Sequence, residues 1–305
     1  MKKVLSFNFL DLIKLIRIKQ WVKNLFLFAP LIFSHHLFDL KYFLVELKAF
    51  ISFCLISSIV YIINDIVDIE QDKKHPVKKN RPLASGRISI GLALLFASIL
   101  AIVLLLISYN LPKKFIVAML TYLLVNLFYS FWLKQIVLLD IFLIAFGFMI
   151  RIIAGGWVID VYISNWLILC TLFLSLFLAI SKRRSELALV QLNNMEDTRK
   201  VLSDYSITFS DQMSTIAAAG TVITYALYTV SERTKEIFHT ENLIFTTPFV
   251  VFGIFRYLYL VHKKNLGENP TYIVTTDVPM IVNILLWLLF SVFIIYKQKL
   301  NIHLL

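Results

Sequence analysis

Long apolar runs alternate along the chain with short polar connections, and the runs have the length of membrane-crossing helices. A hydrocarbon core of about 30 Å takes about 20 residues of α-helix to cross. By that measure the pattern predicts nine spans, at approximately 22–39, 46–66, 89–109, 114–132, 138–158, 163–181, 213–231, 243–262 and 278–297. Eight is the alternative, because Pro30 interrupts the first run and His35 and His36 lie near its end. Ahead of the spans, the apolar stretch from Leu5 to Ile18 is broken by Asp11, Lys14 and Arg17. That predicts a basic amphipathic helix over 1–21 lying on the membrane surface, not a cleaved signal peptide. No fixed-period repeat or low-complexity segment is found, so the expectation is one all-α domain over 1–305, a polytopic membrane helical bundle over 22–297.

Composition supports this. The 305 residues are 59% hydrophobic and 16% charged, with a mean hydropathy of +0.79. Soluble domains carry about 45–50% apolar and about 25% charged residues, so soluble, fibrous and disordered classes are excluded. Cys54 and Cys170 sit inside apolar runs and offer neither a disulfide framework nor zinc spacing. The net charge of +11 is explained by membrane topology, with no need for nucleic acid. With the N-terminus inside, the N-terminal segment and the connections at 67–88, 133–137, 182–212 and 263–277 share one side. They hold about twenty of the 30 Lys and Arg, against about eight on the other side. The positive-inside rule makes that side cytoplasmic, and function is expected there. Apolar helix faces look alike toward lipid and toward a partner, which leaves a homo-oligomer open.

The sharpest polar feature runs from Asn64 to Asp72, where the second span leaves the membrane. At 100° per residue, Asn64, Asp65, Asp68 and Asp72 fall within an arc of roughly 100°, while Glu70 points away. Three carboxylates on one helical face repel one another unless a cation lies between them. Mg²⁺ suits such a place, held by a few carboxylates together with substrate phosphate oxygens. The alternative is a solvated helix end. Directly after come Lys73, Lys74, Lys78, Lys79, Arg81 and Arg87, around His75-Pro76 and a turn from Arg81 to Gly86. A cationic loop beside a metal site fits a polyphosphorylated ligand. Lys78 and Arg81 are candidate ligand contacts, whereas Lys73, Lys74 and Arg87 read as topological charge or anionic-lipid contacts.

Other charges gather at the same membrane edge. Tyr129, Lys134 and Asp140 flank the turn between the fourth and fifth spans. Arg151, eleven residues past Asp140, falls on the same face about three turns deeper. It is either a structural ion pair, with Asp140 as the candidate partner, or a ligand-binding cation facing a polar cavity. The sixth span ends in Lys182-Arg183-Arg184, with Glu186 placed to orient the first two. Lys182 and Arg183 are candidates for the cavity, and Arg184 for the lipid headgroups. Lys19 and Lys23 flank Gln20-Trp21 at the first membrane entry and are either phosphate contacts or topological charge.

These motifs resemble the UbiA superfamily of intramembrane prenyltransferases, whose signature is the N-D-x-x-D-x-x-x-D motif at the end of the second helix. The resemblance covers nearly the whole chain. It is closest to the decaprenyl-phosphate phosphoribosyltransferase branch, through Lys19 to Asn24, the aspartate cluster with His75-Pro76 and Arg81-Pro82, Tyr129 to Lys134 with Leu139-Asp140, Arg151 to Gly156, and Lys182-Arg183 with Glu186-Leu187. Aromatic prenyltransferases of that superfamily usually carry a second Asp-rich motif between helices six and seven. Here that stretch is basic, and Asp197, Asp204 and Asp211 follow without matching spacing. The resemblance implies transfer of 5-phosphoribose from phosphoribosyl pyrophosphate (PRPP) to a polyprenyl phosphate in a prokaryotic plasma membrane. It implies Mg²⁺ on Asp65, Asp68 and Asp72, with Mn²⁺ able to substitute, and Asn64 as part of the catalytic group. Two rivals stand beside it: prenyl transfer from a diphosphate to an aromatic acceptor, and a transporter or flippase of an anionic substrate.

Overall fold

The computed structural model describes residues 8–75, 77–192, 200–264 and 266–297. Pro76, Asp197 and the first seven residues of the expected surface helix lie outside them. The described part of that helix is shorter than expected. α1 spans Phe9–Leu15, and the Asn8 side chain caps it by accepting from the Leu10 amide at 3.1 Å. Phe9 and Leu10 are exposed, as a membrane-surface helix requires. Leu15, by contrast, is fully buried in a cluster with Ile62, Leu83 and Ile88. Asp11 also pairs with Arg87 at 3.0 Å. α1 is thus docked edge-on against the bundle, and Arg87 holds it there.

The next stretch corrects the expected first span at 22–39. Arg17 takes a left-handed turn, φ 52°, and Ile18–Leu27 then runs as a 3₁₀ helix, followed by the five-residue α2, Phe28–Ile32. The segment begins beside Asp65, to which Arg17 is bonded, and ends where the Leu37 amide donates to the Tyr296 hydroxyl at 2.9 Å. A 3₁₀ helix rises about 2.0 Å per residue, and ten residues of it are uncommon. The polar run from Lys19 to Asn24 and the proline at 30 disfavour one regular apolar helix here.

The remaining expected spans are present. α3 is Leu40–Val67, capped by Asp39 and continued by α4, Ile69–Lys74. α5 is Ile90–Ser108, α6 Lys113–Phe131 and α7 Leu139–Val158. α8, Asn165–Leu192, runs well beyond the expected 163–181. α9 is Ile207–Val230, α10 Glu232–Phe238, α11 Thr247–Lys264, α12 Pro270–Thr276 and α13 Val278–Tyr296. Among the described residues, eight helices are long and apolar enough to cross a membrane: α3, α5, α6, α7, α8, α9, α11 with the residues just before it, and α13. α5 presents Leu95, Leu105 and Leu106 outward, which lipid tolerates and water would not.

In lipid, helix association depends on close packing more than on apolar area, and small residues permit it. α7 supplies them and joins both cores. On one side Ala154 and Ile150 pack with Phe53, Phe115 and Tyr122 of α3 and α6. On the other, Ala145 and Ile141 pack with Phe177, Ala217, Ala218 and Tyr257 of α8, α9 and α11. At Gly155 a β-carbon would collide with the carbonyl of Leu27, so the 3₁₀ segment lies directly on the α7 backbone. The charged ends of α3, α6, α7 and α8 are thereby gathered at one end of the bundle.

Candidate active site

Asp68 joins α3 to α4: its amide closes on the Asn64 carbonyl at 2.9 Å, and its own carbonyl accepts from the Asp72 amide at 2.8 Å. Asp65, Asp68 and Asp72 all face inward, and all three are buried. Buried carboxylates need counter-charges, and each has one. Arg17 binds Asp65. Arg81 Nη1 donates to both Asp65, at 3.1 Å, and Asp72, at 2.5 Å. Lys134 binds Asp68, whose other oxygen accepts from Asn64 Nδ2 at 3.0 Å. Three anions from one helix end therefore meet three cations from three other segments.

A second network adjoins the first through the turn bearing Lys134. Arg183 is almost fully buried; its Nε donates to Asp140 at 2.6 Å, its Nη1 to Glu186 at 2.5 Å and its Nη2 to the Tyr129 hydroxyl at 3.3 Å. The Tyr205 hydroxyl donates to Asp140 at 2.7 Å and accepts from the Leu138 amide at 2.9 Å. Burial and the adjacent Asp140 carboxylate push the Tyr205 phenol up, so it stays a neutral donor. Lys182, half-exposed, lies 3.9 Å from Glu186.

Arg151 does not pair with Asp140. It is buried three turns away, donating to Asn24 at 2.7 Å, the Gly147 carbonyl at 2.8 Å and the Tyr122 hydroxyl at 2.9 Å. Each of these acceptors is neutral. Lys23 lies in the field of Arg151 and Arg17 and makes no hydrogen bond or ion pair among the described residues. Lys19 is exposed and Lys78 half-buried. Arg184, expected at the headgroups, pairs with Asp211 of α9 at 2.7 Å. Arg256 and Asp277, for which the sequence suggested no role, form a two-pronged pair at 3.0 and 2.8 Å. Sequence reasoning missed Arg17 and Tyr205. The position of Arg17 just ahead of Lys19-Gln20-Trp21 was the available signal for the first. For Tyr205 there was none.

Nearby, His75 Nδ1 accepts from the amides of Val77 and Lys78 at 3.2 and 3.3 Å, and its Nε2 faces Glu268 at 3.9 Å. Burial, then the Lys78 charge, push its pKa from about 6.5 down to about 4.

Among the described residues no three acidic, histidine or cysteine side chains converge into a ready metal cage. The donor chemistry nevertheless fits Mg²⁺. Asp65 and Asp72 already close on one cationic nitrogen, and this metal is commonly held by one or two carboxylates plus substrate phosphates. Asp68 is directed to Lys134 and lies apart from that pair.

An all-helical membrane bundle with an aspartate-rich helix end defines a class. The UbiA prenyltransferase family model matches residues 25–269, and the chain belongs to that family. It is an integral membrane transferase. The chain is 35% identical over 288 residues to the decaprenyl-phosphate phosphoribosyltransferase of Mycolicibacterium smegmatis, covering 91% of this chain and 90% of that one. It is 32% identical over 293 residues to the protein of the same name from Corynebacterium glutamicum, covering 93% and 86%. In fold it is similar to a UbiA homolog from Archaeoglobus fulgidus bound to GPP and Mg²⁺, with a TM-score of 0.67, 18% identity, and coverage of 93% and 99%.

Proposed function

We propose that this chain transfers 5-phosphoribose from PRPP to a polyprenyl phosphate, releasing pyrophosphate, with Mg²⁺ as cofactor. The names of its bacterial relatives supply the substrates. The structural observation that carries the chemistry is the single Arg81 nitrogen clasped between Asp65 and Asp72, a buried cation position at the bundle end. Asp65 and Asp72 would hold Mg²⁺ there, and the ion would supply stabilisation of the negative charge on the departing pyrophosphate.

Asp65 and Asp72 would orient the donor's diphosphate only through the cation they hold, while Arg81 and Lys134 bind its outer oxygens. Asn64 keeps Asp68 aimed at Lys134, so the lysine stays in place when substrate arrives. In the step itself, the C1–O bond to pyrophosphate breaks with its electron pair leaving on oxygen, and an oxygen of the lipid phosphate bonds to C1. That phosphate is already anionic, so no general base is needed. Lys23 and Arg151, which have no carboxylate partner among the described residues, are the cations placed to attract a second anion. Lys182 and Lys78 stand at the rim for the 5-phosphate. Arg183 is saturated by Asp140 and Glu186, and its role is to lock the turn that presents Lys134. Positioning and charge supply the rate.

The site faces the cytoplasm in this reading, because the basic connections gather on its side. The test is to supply purified chain with labelled PRPP and a short polyprenyl phosphate, with and without EDTA. Label transfer to lipid with release of pyrophosphate, abolished by EDTA, is the expected result. Transfer from labelled prenyl diphosphate to an aromatic acceptor, with PRPP inert, overturns it.

A further inference from the structure

Arg17 binds Asp65 from a position that is costly to hold. Its backbone is left-handed, at φ 52°, a conformation L-residues with long side chains rarely adopt. Both flanks are fastened: α1 by Leu15 in its core cluster and by the Asp11–Arg87 pair, the 3₁₀ segment by its contact with α7. The guanidinium also lies over the Tyr61 ring, 4.9 Å from its centroid, one turn before Asp65 on the same helix. It therefore has a second favourable surface within a short swing. A strained turn tied down at both ends, delivering one cation to one buried carboxylate, is more than a topological charge requires.

The charge balance shows what that cation does. Asp65, Asp68 and Asp72 are matched one for one by Arg17, Arg81 and Lys134. A bare divalent ion entering this buried group adds two uncompensated positive charges and must displace a charge-assisted hydrogen bond. A divalent ion arriving with a diphosphate brings its own anion, and the displaced guanidinium gains phosphate oxygens as new partners.

We propose that Arg17 is a positioning residue that, together with Arg81 on the same Asp65 oxygen, holds the ligand position a metal would take and yields it only to a metal–diphosphate complex, so that metal and diphosphate enter the site together. This rests on the reading of Asp65 and Asp72 as metal ligands. The ligand class that releases the latch is a diphosphate chelating a divalent cation.

The test is equilibrium Mn²⁺ binding to the full chain in nanodiscs, read by electron paramagnetic resonance, with and without inorganic pyrophosphate. The unaltered protein is expected to bind Mn²⁺ weakly alone and about tenfold or more tightly with pyrophosphate, the worth of roughly one charge-assisted hydrogen bond. In Arg17→Gln, binding of Mn²⁺ alone is expected to tighten by a similar factor, and the gain from pyrophosphate to shrink. Arg17→Lys, which restores a cation, is expected to return the pattern toward that of the unaltered chain. Tight Mn²⁺ binding by the unaltered protein without pyrophosphate overturns the latch while leaving the metal site standing, and this arm needs no variant to fold. Unchanged Mn²⁺ affinity in Arg17→Gln overturns it as well. No Mn²⁺ binding with pyrophosphate in any form of the protein overturns the metal site and the latch together.

Discussion

Asp68 accepts from Lys134 and Asn64, so removing its charge strands a buried lysine as well as altering the acidic group. Asp68→Asn is expected to lower pyrophosphate release from PRPP by about 10²-fold or more, since metal and charge stabilisation supply several kcal/mol of the barrier. Steady-state turnover measures it, and near-normal turnover removes Asp68 from the chemistry. His75 allows a prediction about stability. The folded chain holds this imidazole neutral down to about pH 4, whereas an unfolded chain protonates it near 6.5. Between those values the unfolded state binds more protons, so stability falls as pH drops from 6.5 toward 4 and is fully present above that window. The unfolding temperature should follow this slope, and in His75→Asn, whose amide oxygen replaces Nδ1 as acceptor, the slope across that window should flatten. At this scale the sequence displayed pairs close along one helix, such as Arg183 with Glu186. It hid pairs far apart in the chain, Arg17 with Asp65 and Arg183 with Asp140, because spacing carries no information about them. The suggested Arg151–Asp140 pair failed on length: eleven residues of helix separate their backbones by about 16 Å, beyond the reach of both side chains.

Among the elements, periodicity and apolar length located α3 and α5 to α9, α11 and α13, since lipid imposes one requirement on every span. It failed at 18–32, where the cost of a polar run is borne by packing that the sequence does not display. Gly155 marks that packing. Gly155→Ala is expected to push the 3₁₀ segment off α7 and lower stability by about 1–3 kcal/mol, as overpacking does. Gly91 in α5 has open space around it. Gly91→Ala should therefore leave unfolding in detergent unchanged or slightly raised, and equal behaviour of the two variants would deny the close approach at Gly155.

For the whole molecule, the charged ends of α3, α6, α7 and α8 gather at one end, and the asymmetry of basic residues is the ground for proposing that this end faces the cytoplasm. Glu70 is well exposed there. In a chain with Cys54 and Cys170 replaced, Glu70→Cys should react with a membrane-impermeant maleimide in inverted vesicles and not in intact cells; labelling of intact cells reverses the orientation. The narrow winding of Ile18–Leu27 has a mechanical corollary. Rewound as an ordinary α-helix, those ten residues would shorten by about 5 Å, a stroke longer than any hydrogen bond. With the chain just beyond it moored at Tyr296 through Ile32 and Leu37, the shortened helix would draw Arg17 off its aspartate, so the pitch of this one thread and the grip at its tip stand or fall together.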